Sequence, residues 1–308
     1  MASVDIRDAT LREGMDVPGV GFDLEQRLVI AAALASAGVR EAEVVAPARV
    51  AGDAAVARAI RERGIAIRCS GLVYANRPEW RTDAETSRES LDRFDLLMPL
   101  SPQREPRDLG AKADRITEAI EACRALSGDV GAGFPHSTQV PADVVVDMAR
   151  RSAVSGATRI TVYDTNGSAD PYTVRELVER VLEAAGGVPV FFHAHNDLGL
   201  ATANSWAAVR GGASGLDLTV NGLGDRAGNG SLEQVVVLLE RTGVATGVDV
   251  AALLALSRLV AELSGEPVSN LAPVVGRYAF DHRSPAHAEA PEEFEAVDPS
   301  RLGTRRTV

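Results

Sequence analysis

Cysteine, lysine and aromatic side chains are all scarce in this chain of 308 residues. Two cysteines, Cys69 and Cys123, are too few for a disulfide framework, so the fold must rest on a buried apolar core, with both thiols expected reduced and buried. Lysine occurs once, at Lys112, on an expected helix start, which leaves Schiff-base chemistry without its amine. No apolar run approaches about 18 residues, so nothing reads as a membrane span. The opening "MASVDIRDATLREG" lacks the apolar core of a secretory leader, and a cytoplasmic setting is expected. Positive charge is in deficit too. A net charge of −11 argues against a nucleic-acid partner and leaves small molecules as the expected ligands. Neither a G-x-S-x-G elbow nor a P-loop is present, so serine hydrolase and ATPase readings lack support.

What the chain does have is a regular alternation of short β-rich runs and longer amphipathic ones. The strand candidates are 3–10, 41–47, 65–73, 94–100, 129–135, 159–165, 188–195 and 216–222, separated by segments of helical period such as "LEQRLVIAAALASAG". Asp170-Pro171 reads as N-cap and first helical residue, Ser231 with Gln234 as a capping box, and Gly38, Gly64 and Gly128 as helix stops. Eight apolar strands with helices between them predict an α/β fold, a (β/α)8 TIM barrel, in preference to an open doubly wound sheet. The barrel is expected over 1–245. An extension over 246–308 adds one more helix (248–265) and a Pro-, Ala- and Glu-rich tail.

The stretch "VPVFFHAHNDLGLATANS" is the most informative. Alternate strand residues share a face, so His193 and His195 point the same way at the C-terminal end of the seventh strand, where barrels carry their active sites. Two imidazoles about 6–7 Å apart along a strand can converge on one metal ion. Only five histidines occur in the chain, and two of them lie at this strand end. "DATLREG" closes the first strand with Asp8, Arg12 and Glu13, and "NGLGDRAGNGSLEQ" follows the eighth with Asn229. Strands one, seven and eight are neighbours in a closed barrel, so Glu13, His193, His195 and Asn229 can meet around a divalent ion such as Zn, Mn, Mg or Co. Arg12 and Glu13 are adjacent, so both face the site only if the strand has already turned. Two roles are open for Asp8: a partner for Arg12, or a strand-end hydrogen bond. A metal face could polarise a bound carbonyl, with Arg12 neutralising the oxyanion that develops.

"TLREG", "HAHNDLGLATANS" and "NGLGDRAGNGSLEQVV" resemble the signatures of the 2-isopropylmalate synthase and homocitrate synthase family. That family belongs to the metal-dependent barrels that include hydroxymethylglutaryl-CoA lyase and 4-hydroxy-2-oxovalerate aldolase. The resemblance extends into "PVVGRYAFDHRSPAH" (273–287) and "FEAVDPSRLGTRRTV". It implies metal ligation by Glu13, His193 and His195, with Asn229 as a fourth group, and a 2-oxo acid carboxylate held by Thr165. It also implies His287 as acid/base, with His282 as understudy. The implied reaction is a Claisen-type condensation of an acyl-CoA co-substrate, acetyl-CoA foremost, with a 2-oxo acid, in a homodimer whose tails cross.

Three departures from the pattern stand out. Met15 and Asp16 replace the Glu and Gln that usually follow "LREG", and Met15 is similar to the aldolase branch. Gly133 stands where the fifth strand should carry an acid, no arginine follows it, and His136 is the titratable group nearby, a candidate for substrate binding. The chain ends at Val308, so no carboxy-terminal regulatory domain and no feedback inhibition by leucine are expected. A carbon–carbon lyase or aldolase on the same metal is therefore the alternative. A barrel kept as a non-catalytic partner protein is the third reading.

Overall fold

All eight apolar runs become strands. The computed structural model describes residues 3–101 and 109–307. Its strands are β1 (Asp5–Asp8), β2 (Glu41–Val45), β3 (Arg68–Tyr74), β4 (Arg93–Leu97), β5 (Val130–Phe134), β6 (Arg159–Asp164), β7 (Val190–Ala194) and β8 (Gly215–Leu218). Each pairs in parallel with the next, and β1 closes on β8, giving a barrel in sequence order. Helices return the chain between strands, and their apolar stripes pack on the outer, aliphatic face of the sheet.

Local signals explain most helix ends. The Asp170 side chain accepts hydrogen bonds from the backbone N–H of Tyr172 and Thr173, with Pro171 opening the helix. Gly38 and Gly64 follow their helices in the left-handed region (φ +89° and +66°), the conformation glycine adopts at least cost. Ser231 caps its helix through the Gln234 N–H, but its hydroxyl donates to Glu233, so the expected reciprocal box is only half formed. Gly128 is not a helix stop: the helix Leu109–Arg124 has already ended in a turn at Cys123–Leu126. Lys112, in that helix, donates to the Pro99 carbonyl at 2.8 Å. Cys69 and Cys123 are free and buried; burial pushes their thiols up to about 12 and about 11. Among the described residues no helix is long and apolar enough to cross a membrane.

The inside of the barrel is charged rather than aliphatic. Arg7 on β1 is fully buried and contacts Asp217 on β8 (Nε–Oδ1 2.8 Å, Nη2–Oδ2 2.5 Å), Asp95 on β4, and Glu43 on β2 at 3.4 Å. Nearer the N-terminal end, Arg159 on β6 holds Glu41 through two bonds (2.6 and 2.9 Å) and lies 3.7 Å over the Phe191 ring. Phe191 fits because β8 begins with Gly215, where a Cβ would lie 2.0 Å from the ring. Buried ionic contacts of this kind add little net stability, because removing both charges from water offsets most of their attraction, whereas losing one partner leaves the other uncompensated.

Candidate metal centre

At the C-terminal mouth the backbone resolves the problem posed by adjacent Arg12 and Glu13. Strand β1 ends at Asp8, whose carboxylate accepts from the Thr10 N–H (2.8 Å) and hydroxyl (3.0 Å), and Thr10–Glu13 form a single helical turn. Asp8 thus makes the strand-end hydrogen bond and does not hold Arg12. Arg12 instead donates to Glu43 (Nε–Oε1 2.5 Å) and pairs with Glu13 (Nη1–Oε1 2.5 Å), so both side chains enter the mouth.

Strand β7 delivers the histidines. His193 Nδ1 faces Asp217 Oδ2 at 3.3 Å, and its Nε2 lies 3.3 Å from Glu13 Oε1. A proton on Nδ1 toward Asp217 leaves the Nε2 lone pair directed at Glu13, the tautomer a metal needs. The His195 ring stands edge-on to His193, centroids 5.2 Å apart, with a buried Nδ1 that has no partner among the described residues. One donor atom from each of Glu13, His193 and His195 lies within 4.8 Å of the others. Asn229 pairs with His195 in a short antiparallel bridge; its Nδ2 is 3.1 Å from His193 Nε2, and its Oδ1 is buried without a partner among the described residues. Gly224 makes room for that amide, since a Cβ there would sit 1.8 Å from Asn229 Oδ1.

The electrostatics favour a cation. Around the mouth two guanidiniums (Arg7, Arg12) face four carboxylates (Glu13, Glu43, Asp95, Asp217), leaving two formal negative charges when both imidazoles are neutral. Burial opposes ionisation of Glu13, but Arg12 and the imidazoles outweigh it and hold its carboxyl well below the usual range. Burial likewise opposes protonation of His193, yet Asp217 and Glu13 carry it up to about 9. Burial, then the charge on His193, push His195 down to about 4. One carboxylate, two imidazoles, two buried polar atoms lacking partners among the described residues and an excess of two negative charges fit a divalent ion of intermediate hardness. In the metal-free chain a proton on His193 competes for that place. Apparent affinity for Mn or Zn should therefore rise by about tenfold per pH unit from pH 7 toward 9, then level off. Calorimetry in buffers of different ionisation enthalpy would count the released proton; a flat profile would place it elsewhere.

The remaining candidates are distributed unevenly. Thr165, just beyond β6, accepts the His136 backbone N–H through its hydroxyl oxygen at 2.7 Å. His136 adopts a left-handed backbone (φ +70°), uncommon for a side chain of this size, and its Nδ1 meets Gln139 Oε1 at 2.5 Å. Asp197 is gripped by Arg226 (2.7 and 3.0 Å), which also donates to the Thr165 carbonyl at 2.7 Å and so ties together the loops after β6, β7 and β8. His287 is stacked on Phe294 (3.8 Å) and edge-on to His282 (6.0 Å), and His282 meets Glu295 at 3.1 Å, all within the tail. The sequence reading missed Arg7, Glu43, Asp95, Asp217 and Tyr163. The available signal was a charged or phenolic residue at an alternate position of an otherwise apolar strand.

The family model for HMGL-like proteins matches residues 3–260. A homocitrate synthase 1 from Nostoc sp. is 34% identical over 99% of this chain and 82% of its own length. A 2-isopropylmalate synthase from Sulfurisphaera tokodaii is 33% identical over 98% of this chain and 80% of its own. Among solved structures, a hydroxymethylglutaryl-CoA lyase from Pseudomonas aeruginosa superposes with a TM-score of 0.73 at 21% identity, covering 87% of this chain and 94% of that one, a likeness of fold.

Proposed function

Because the chain belongs to the HMGL-like family, we propose that it is a metal-dependent acyltransferase joining an acyl-CoA, acetyl-CoA foremost, to a 2-oxo acid, with release of a 2-hydroxy dicarboxylate and free CoA. The observation that carries this reading is the convergence of Glu13, His193 and His195 beside Arg12 at the barrel mouth. Relatives at 33–34% identity that are named as synthases support it.

In this reading Glu13, His193 and His195 hold the ion, with Asn229 beside them and Asp217 fixing the His193 tautomer. A divalent ion bound there supplies Lewis acidity to the ketone of the 2-oxo acid, an effect of several kcal/mol. Thr165 uses its oxygen to accept from His136, so its proton is available to donate to the acid's carboxylate. A base removes a proton α to the thioester, and the new carbon–carbon bond forms at the keto carbon. Arg12, held rigid by Glu13 and Glu43, stabilises the oxygen that gains charge. Water then cleaves the thioester, releasing the thiol. His287 is the acid/base of this scheme; its ring contacts lie within the tail, and in this reading it serves the mouth of a second copy, in a homodimer with crossed tails. Exposed Leu271, Tyr278 and Phe294 give such a tail an apolar surface to dock.

The second reading, a lyase or aldolase on the same ion, is favoured by Met15 and by Gly133. To separate the two, metal-loaded protein is supplied with acyl-CoAs and 2-oxo acids, and thiol release is followed. Release that requires both substrates is the expected result. Formation of an oxo acid from a 4-hydroxy-2-oxo acid, or of an acyl-CoA and a carbonyl from a 3-hydroxyacyl-CoA, would replace condensation by cleavage.

A further inference from the structure

On the side of the mouth away from β1 and β8, Leu72, Leu97 and Tyr163 form a buried apolar patch, joined by Tyr74 and separate from the main core. Tyr163 is paired in register with His193, and their rings lie 4.8 Å apart, so this patch abuts the metal centre directly. It also fills the place where the sequence lacks an acid. A Cβ at Gly133 would meet Leu97 Cδ2 and Tyr163 Cε2, each at 2.8 Å, and the Tyr163 hydroxyl at 3.4 Å. The space that a side chain on β5 would use is thus taken by an aromatic ring from β6. The phenol hydroxyl is buried with no hydrogen-bond partner among the described residues.

We propose that Tyr163, with Leu72 and Leu97, is a specificity-determining residue that restricts the 2-oxo acid to a short, uncharged side chain. The inference rests on the condensation reading and narrows its substrate. A second carboxylate on the acid would be buried against this patch; the cations nearest Tyr163 are already paired, Arg7 with Asp217, Asp95 and Glu43 and Arg12 with Glu13 and Glu43, and Glu43 would repel it. Burying an unpaired charge is far more costly than burying a methyl group. Likeness to relatives does not decide the point, because a homocitrate synthase and an isopropylmalate synthase match the chain almost equally well.

The test uses the metal-loaded full chain with 2-oxo acids bearing methyl, ethyl, isopropyl, isobutyl and carboxyethyl side chains. Both thiol release from acetyl-CoA and calorimetric binding of each acid are measured. Wild type should favour at least one of the three smallest over the carboxyethyl acid by about 100-fold or more. Tyr163→Ala should raise the isobutyl acid relative to the methyl acid by about tenfold, within the range that one or two methylenes command, while Tyr163→Phe keeps the wild-type order. Metal content and circular dichroism show whether each variant is intact; Tyr163→Leu replaces the alanine variant if that one does not fold, and if neither folds, the wild-type ranking alone decides. Use of the carboxyethyl acid equal to that of the best of the three smallest acids, or an unmoved ratio in an intact variant, overturns the proposal. Should thiol release be absent while binding follows the expected order, the condensation reading falls and the specificity assignment stands. Failure of every 2-oxo acid to bind overturns both.

Discussion

Replacing His193 with alanine should strip the divalent ion from the protein and abolish turnover while leaving the barrel folded. The residue supplies an Nε2 lone pair 3.3 Å from Glu13 and is itself oriented by Asp217, so its loss removes one donor and frees the partner that positioned it. Groups that merely orient metal ligands are commonly worth about 10–100-fold in affinity or activity, so loss of a ligand should exceed about 100-fold. Asp217→Asn, which keeps the imidazole but weakens its tautomer, should fall in that lower band. His287→Ala provides the contrast: metal content unchanged, turnover slower by about 10²–10⁴ if the residue is the acid/base. Metal analysis after dialysis, paired with the thiol-release assay, reads all three. A His193→Ala protein that retained the ion with wild-type affinity would remove the basis of the proposed chemistry. Normal turnover in His287→Ala would move the acid/base role to His282 or His136.

The second large effect concerns stability. Arg7→Met should destabilise the fold by about 3–5 kcal/mol, because it leaves Asp217, Asp95 and Glu43 facing one another in the barrel without their shared cation. The sign of the pH dependence follows. Burial opposes ionisation of Asp217 and Arg7 is what chiefly outweighs it, so without the guanidinium that carboxyl becomes easier to protonate in the folded state, and the variant's deficit shrinks as pH falls and grows as pH rises. Urea unfolding of metal-free protein at pH 5 and pH 8 checks both the size and the slope. A variant within about 1 kcal/mol of wild type at pH 8 would show that the buried network contributes little to holding the strands.

The residues of the candidate site were legible in unequal degrees. His193 and His195 could be read because a strand's period of two forces i and i+2 onto one face, and Glu13 and Asn229 because strands one, seven and eight are neighbours in a closed barrel. The turn that brings both Arg12 and Glu13 inward was legible only as a requirement; the Asp8–Thr10 hydrogen bonds are what meet it. Gly133 marked an absence, but the ring that fills it arrives from β6, thirty residues later in the chain. No local pattern encodes such a contact. The same holds for Arg7, whose three carboxylate partners come from β2, β4 and β8.

By itself the sequence determined the barrel, its strand order and the imidazole pair, since hydrophobic period, helix caps and the short links between elements are local and survive translation into structure almost unchanged. Only the tertiary structure decided which charges neutralise one another inside the cylinder, which imidazole nitrogen is left available, and which side chain occupies the room beside the metal centre. Those outcomes depend on distances between side chains from strands far apart in sequence, set by closure of the sheet, and a few ångströms there separate a ligand from a bystander.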